Sequence, residues 1–153
     1  MRALAIFVLS GLATLFAGLS IAQDAESPIQ VQDAWARQAP MMPPMGQMHM
    51  PGGTGAVYVT LRNTGPETET LVGASSDAAE SAELHETLRE GDVMRMRPVA
   101  KLEVPAGGVL EMKPGGFHLM LINLKHALRP GERIHVTLTF DHAAPLTVEV
   151  PIR

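Results

Sequence analysis

Two imidazoles and two thioethers stand out in this chain of 153 residues: His85, Met96, His118 and Met120, spaced as H-x10-M-x21-H-x-M. Such soft donors suit Cu(I), and they do not suit Mg, Ca or Mn, which take oxygen. The chain has no cysteine. A blue-copper electron-transfer site needs a thiolate, so the pattern implies holding and handing over copper rather than passing electrons through it. Thioethers also carry no proton that must leave before a metal binds.

The four residues have to be brought together by strands. His118 and Met120 are two apart, so a strand points both side chains to one face. His85 and Met96 fall on the two arms of an expected hairpin, Ala82 to Leu88 and Val93 to Val99, around Arg89-Glu90-Gly91-Asp92. A bland reading stands beside this one. Met94, Met96, Met112 and Met120 are also what ordinary core filling looks like, because Met packs irregular gaps. His126, His135 and His142 read as hydrogen-bonded surface residues. Met94 shares a face with Met96 by the same alternation, as either a packing neighbour or a substitute ligand.

The remaining elements are mostly strands. Ile29 to Ala36, Ala56 to Leu61, Thr70 to Val72, Val109 to Met112, Phe117 to Asn123, Ile134 to Phe140 and Pro145 to Val150 carry β-branched or alternating apolar residues. Asn63-Thr64-Gly65, Lys113-Pro114-Gly115-Gly116 and Arg129-Pro130-Gly131-Glu132 punctuate them as turns. Ser76 to Ala82 has room for a single helical turn and no more. Short strands, Pro/Gly turns and no amphipathic helix predict an all-β sandwich or barrel.

Residues 1–22 read as a secretory signal: a basic start at Arg2, an apolar run from Ala3 to Ile21, and the small-residue exit Ser20-Ile21-Ala22. Cleavage after Ala22 leaves residues 23–153 as one domain in an oxidising compartment, the periplasm. No membrane insertion is expected of the mature chain, and disulfides cannot stabilise it. No cysteine follows the cleavage point to take a lipid. A formal net charge of −4 and the lack of a basic stripe argue against nucleic acid.

One stretch breaks the strand grammar. Residues 40–53 hold half of the ten methionines, with four prolines and three glycines, and read as an exposed loop. Met41, Met42, Met45, Met48, His49 and Met50 form a candidate secondary copper-gathering site, and His49 leaves Cu(II) open there. The plain alternative is a low-complexity insertion with adaptable apolar contacts.

With these residues in place, the chain resembles the periplasmic Cu(I) chaperones of the PCu(A)C family. The resemblance runs through Asp33-Ala34-Trp35-Ala36-Arg37, Gly55-Ala56-Val57-Tyr58, Ala82-Glu83-Leu84-His85-Glu86, Met94-Arg95-Met96-Arg97-Pro98 and Pro105-Ala106-Gly107-Gly108. It continues through Lys113 to Leu121 and Val136 to Phe140. It implies a cupredoxin-like Greek-key β-sandwich or barrel and His85, Met96, His118 and Met120 as Cu(I) ligands. It also implies a non-enzymatic role: passing copper toward the dinuclear centre of cytochrome c oxidase, in subunit II, alongside Sco-type copper proteins. The chain carries its Met-rich stretch in the loop after the first strand, whereas some members of the family carry Met/His-rich extensions in a C-terminal tail. Three other readings compete: a copper buffer or detoxification protein with no dedicated recipient; an enzyme, such as a zinc hydrolase using His85 and His118 with Glu83 or Glu86; and a plain interaction module.

Overall fold

The computed structural model describes residues 27–39 and 52–153. The expected signal segment lies outside these residues, as does the Met-rich stretch apart from Gly52 and Gly53. Ten strands follow one another: β1 Ile29–Ala36, β2 Gly55–Asn63, β3 Glu69–Ser76, β4 Ala79–Glu90, β5 Val93–Pro98, β6 Leu102–Val104, β7 Val109–Glu111, β8 Phe117–Leu124, β9 Arg133–Phe140 and β10 Leu146–Pro151. There is no helix among the described residues.

All ten strands join one antiparallel sheet in the order β1-β2-β8-β4-β3-β9-β10, with β5 on β4, β6 on β3 and β7 on β2. The sheet nearly closes on itself. Ala36 at the end of β1 meets Ile152 in a parallel bridge. The Arg153 N–H donates to the Ala36 carbonyl at 2.8 Å, and the Gln38 N–H donates to the Arg153 carbonyl at 2.9 Å. Such closure removes the open edges that a flat sheet would expose.

Alternation decides what lies inside. Val57, Val59 and Leu61 on β2, Leu84 on β4, Leu119 and Leu121 on β8 and Ile134, Val136 and Leu138 on β9 are buried in one core. Each such side chain contributes about 1.5–3 kcal/mol through burial. Their neighbours Ala56, Tyr58, His85, His118 and Met120 must then point outward, so the expected donors sit on the outer face of the barrel wall.

The helical turn expected over Ser76 to Ala82 is instead a tight turn at Asp77-Ala78 running straight into β4. The reason is lateral bonding. The Ser76 hydroxyl donates to the His135 carbonyl at 2.9 Å, and the Asp77 carboxylate accepts the His135 N–H at 2.9 Å. With Ala78 and Ala79 buried, this segment is tied to β9 rather than to its own next turn. The short strand β6 was missing from the sequence reading.

β4 is shared between neighbours. Its first half lies between β3 and β8, and its second half between β8 and β5. The β4–β5 hairpin turns at Gly91, whose φ of 63° is the left-handed conformation glycine adopts without penalty.

Candidate functional site

The register of β4 on β8 sets His85 directly opposite His118 and Glu83 opposite Met120. The two imidazole centroids are 5.9 Å apart. An ion about 2 Å from one nitrogen of each ring needs centroids roughly 5–6 Å apart, so the pair can share one ion. Met96 stands opposite Thr87 on β5, one outward-facing rung beyond His85. Met120 and His118 project from β8 into a cavity of about 340 Å³, whose wall also includes Met94, Met96, Tyr58 and Ala56. His85 is not on that wall; it joins the group through His118. Three of the four expected donors thus line one cavity, and His85 lies against His118 beside it. A wider hollow of about 650 Å³ between Arg37 and Arg129 holds none of them.

His118 is only 4% exposed although it lies on the outer face. A row of rings covers it. Trp35 stacks on Tyr58 at 4.6 Å, and Tyr58 lies 6.2 Å from His118, which in turn faces His85. The row crosses four neighbouring strands, and Arg153 lies 5.9 Å from the Trp35 ring centroid. Trp35 and Tyr58 were read from sequence as strand residues only; their pairing across β1 and β2 gives them a site role.

Burial holds the His118 imidazole below its ordinary pKa, against a smaller upward pull from the Gly116 carbonyl and with a further downward push from His85. It is therefore neutral at neutral pH, as a metal ligand must be. The Gly116 carbonyl lies 3.3 Å from Nδ1, which marks Nδ1–H as a donor and leaves the Nε2 lone pair available.

His85 shows the reverse arrangement. Its Nε2 lies 3.1 Å from the Glu83 carboxylate, while its Nδ1 is buried with no hydrogen-bond partner among the described residues. A carboxylate on one ring nitrogen and an open lone pair on the other is how metal-binding histidines are usually oriented. An orphaned buried nitrogen is otherwise costly. Glu83, read from sequence only as a zinc-set candidate, thus acts on His85 from the side.

The methionines separate sharply. Met112 is 3% exposed and is core filling as the bland reading expects; Met94 and Met96 are 56% and 64% exposed. The zinc-type reading loses one of its two candidate carboxylates. Glu86 alternates to the opposite face from His85 and accepts from Arg97 at 2.8 Å. Among the described residues no three His, Cys, Asp or Glu side chains gather into a metal-holding group. His126, His135 and His142 are surface residues with polar partners, namely the Ala127 carbonyl, Asp77 and Glu69.

The family profile described as "Putative lipoprotein LpqE-like" matches residues 29–152. The chain belongs to this family, the PCu(A)C family. A "Putative lipoprotein Lxx21020" of Leifsonia xyli subsp. xyli is 36% identical over 126 residues, covering 82% of this chain and 69% of the relative. Among solved structures, CuI-DR1885 from Deinococcus radiodurans aligns with a TM-score of 0.58 at 30% identity, covering 84% of this chain and 81% of that one. The copper-bound PCuAC domain of PmoF2 aligns with a TM-score of 0.62 at 20% identity, covering 82% and 92%; that likeness is one of fold. For this PCu(A)C member the all-β barrel expected from the strand pattern is the observed architecture.

Proposed function

We propose that this PCu(A)C protein is an exported Cu(I) metallochaperone whose cargo is held by His85, Met96, His118 and Met120. The observation that carries the reading is the cross-strand pair His85–His118, 5.9 Å between ring centroids, with Met96 and Met120 on the same outer patch. Two imidazoles and two thioethers form a soft set of low coordination demand, which favours Cu(I). CuI-DR1885, 30% identical, is a copper-bound relative, and the lipoprotein name of the Leifsonia relative agrees with export of residues 23–153 after a signal at residues 1–22.

Met96 stands in solvent while His118 is covered. An incoming partner can reach the ion at the exposed thioether while the covered imidazoles let go of it, which is what handover asks of a site. The proposed destination is the dinuclear copper centre in cytochrome c oxidase subunit II, with a Sco-type protein alongside. Met41, Met42, Met45, Met48, His49 and Met50 are proposed as a secondary gathering site. Ala39 and Thr54, near the two ends of that stretch, both lie on the cavity wall.

The test is an anaerobic Cu(I) titration of the mature protein against a chromophoric chelator, with His118→Ala beside it. One tight equivalent, lost in the variant, is expected. A wild-type protein that cannot compete with the chelator overturns the proposal and leaves an interaction module.

A further inference from the structure

β5 is an edge strand. Among the described residues it pairs only with β4, and every one of its residues is exposed. Its outward-facing side carries Met94 and Met96 in sequence along the hairpin. Met96 stands opposite Thr87, and Met94 opposite Arg89, one rung nearer the Gly91 turn. Their Cα atoms are therefore about 7 Å apart on one face, a gap that two flexible thioethers can bridge. Met94 lines the same cavity as Met96, His118 and Met120, yet it lies outside the four-donor pattern. Nor does it fill the core, being 56% exposed. Large apolar side chains on a free sheet edge invite unwanted pairing, so two adjacent rungs of exposed methionine ask for a function.

We propose that Met94 is a transfer ligand, the thioether that takes hold of Cu(I) as the ion leaves the inner donors. This rests on the Cu(I) reading above. Exposure rises from His118 at 4% to Met96 at 64% and Met94 at 56%. The inner imidazole is thus shielded from an acceptor, and the hairpin rung is open to one. In the step a Cu–S bond to Met94 forms, and the bonds from copper to His85, His118 and Met120 break in turn while the bond to Met96 is kept. Each lone pair returns to its own donor, copper stays Cu(I), and no proton moves because a thioether carries none. The ion is then held by Met96 and Met94 at the free edge, where the acceptor completes the exchange.

The proposal separates rate from affinity, since exchange pathways act on off-rates. The experiment loads the mature protein with one Cu(I) anaerobically and follows transfer to a chromophoric chelator by stopped flow. Met94→Leu is expected to keep the equilibrium affinity within about threefold while slowing transfer about tenfold. Met94→His, which retains a soft donor, is expected to restore the rate. Met112→Leu, at a buried core position, is expected to change neither. Transfer from Met94→Leu at the wild-type rate overturns the proposal. So does an affinity loss as large as that of Met96→Leu, which would make Met94 a resident ligand. A wild-type protein that takes up no Cu(I) sinks the parent reading as well, whereas tight binding with unchanged transfer sinks the Met94 role alone.

Discussion

The two ends of β2 treat polar groups in opposite ways. At one end Asn63 is fully buried, and every part of its amide is used. Its Nδ2 donates to the Glu67 carbonyl at 2.7 Å and the Val104 carbonyl at 3.0 Å, and its Oδ1 accepts the Gly65 N–H at 2.9 Å. Nearby, at the start of β3, the buried Glu69 carboxylate accepts N–H groups from Thr70, His142 and Ala143. About 17–24 Å away along β2, at roughly 3.4 Å per residue, Tyr58 and Ala56 open onto the donor patch. There His85 buries an Nδ1 with no partner, and two methionines stand in water. The first end spends its polar groups on holding loops in place. The second keeps donor capacity free and accepts a poorer fold for it, as functional sites commonly do.

The largest expected effect breaks the comparison if it fails. His118→Ala should weaken Cu(I) binding at least about a hundredfold, read by chelator competition, while the Asn63–Glu69 end stays intact. Next comes the stability of the satisfied end. Glu69→Ala leaves three N–H groups without their acceptor and should cost about 2–3 kcal/mol, read as a lower urea midpoint at unchanged slope. Copper affinity should not move.

The same carboxyl gives a pH signature. Burial alone would raise the Glu69 pKa, but the N–H groups of Thr70, His142 and Ala143, together with the His142 ring, outweigh it and set the carboxyl below its ordinary 4.5. The fold therefore holds the charged form. Its contribution is complete above the ordinary value and is lost as pH falls through the lowered one. Asp77, lowered by His135 and Ser76 against a similar burial cost, acts with the same sign. Urea midpoints of the apo protein should fall in acid, and Glu69→Gln should flatten part of that fall. Asn63→Ala should cost about 2 kcal/mol. The smallest effect sharpens the contrast most. His85→Leu removes the orphaned nitrogen and should leave stability unchanged or raise it by up to about 1 kcal/mol, while copper affinity drops. A large loss of stability would mean that His85 is structural, like Asn63.

Strand existence was legible because burial writes itself into alternation. Ile29 to Ala36 emerged with the expected limits, and Phe117 to Asn123 and Ile134 to Phe140 each gained one residue. β6 was missed because three residues, only two of them buried, carry no period to read. β4 was read too short at both ends. Its start at Ala79 is fixed by bonds to β9 that lie far away in sequence, and its end at Glu90 by pairing with Val93. The candidate donors were legible as a spacing, and the hairpin places Met96 within one rung of His85. What spacing could not carry is register between distant strands. That register, His85 on His118 and Tyr58 beside them, makes the patch and buries an outward-facing histidine. Asn63 was read as a turn signal, correctly; its buried role depends on the Val104 carbonyl, which only the fold brings near.

The cross-strand pairing of β4 with β8 has a consequence for timing. The two imidazoles belong to segments far apart in the chain, and nothing in an extended polypeptide holds them within one ion's reach. A ligand that binds only the folded form stabilises that form. On the Cu(I) reading proposed above, capture at the His85–His118 pair therefore follows assembly of the barrel, and the loaded protein is harder to unfold than the empty one.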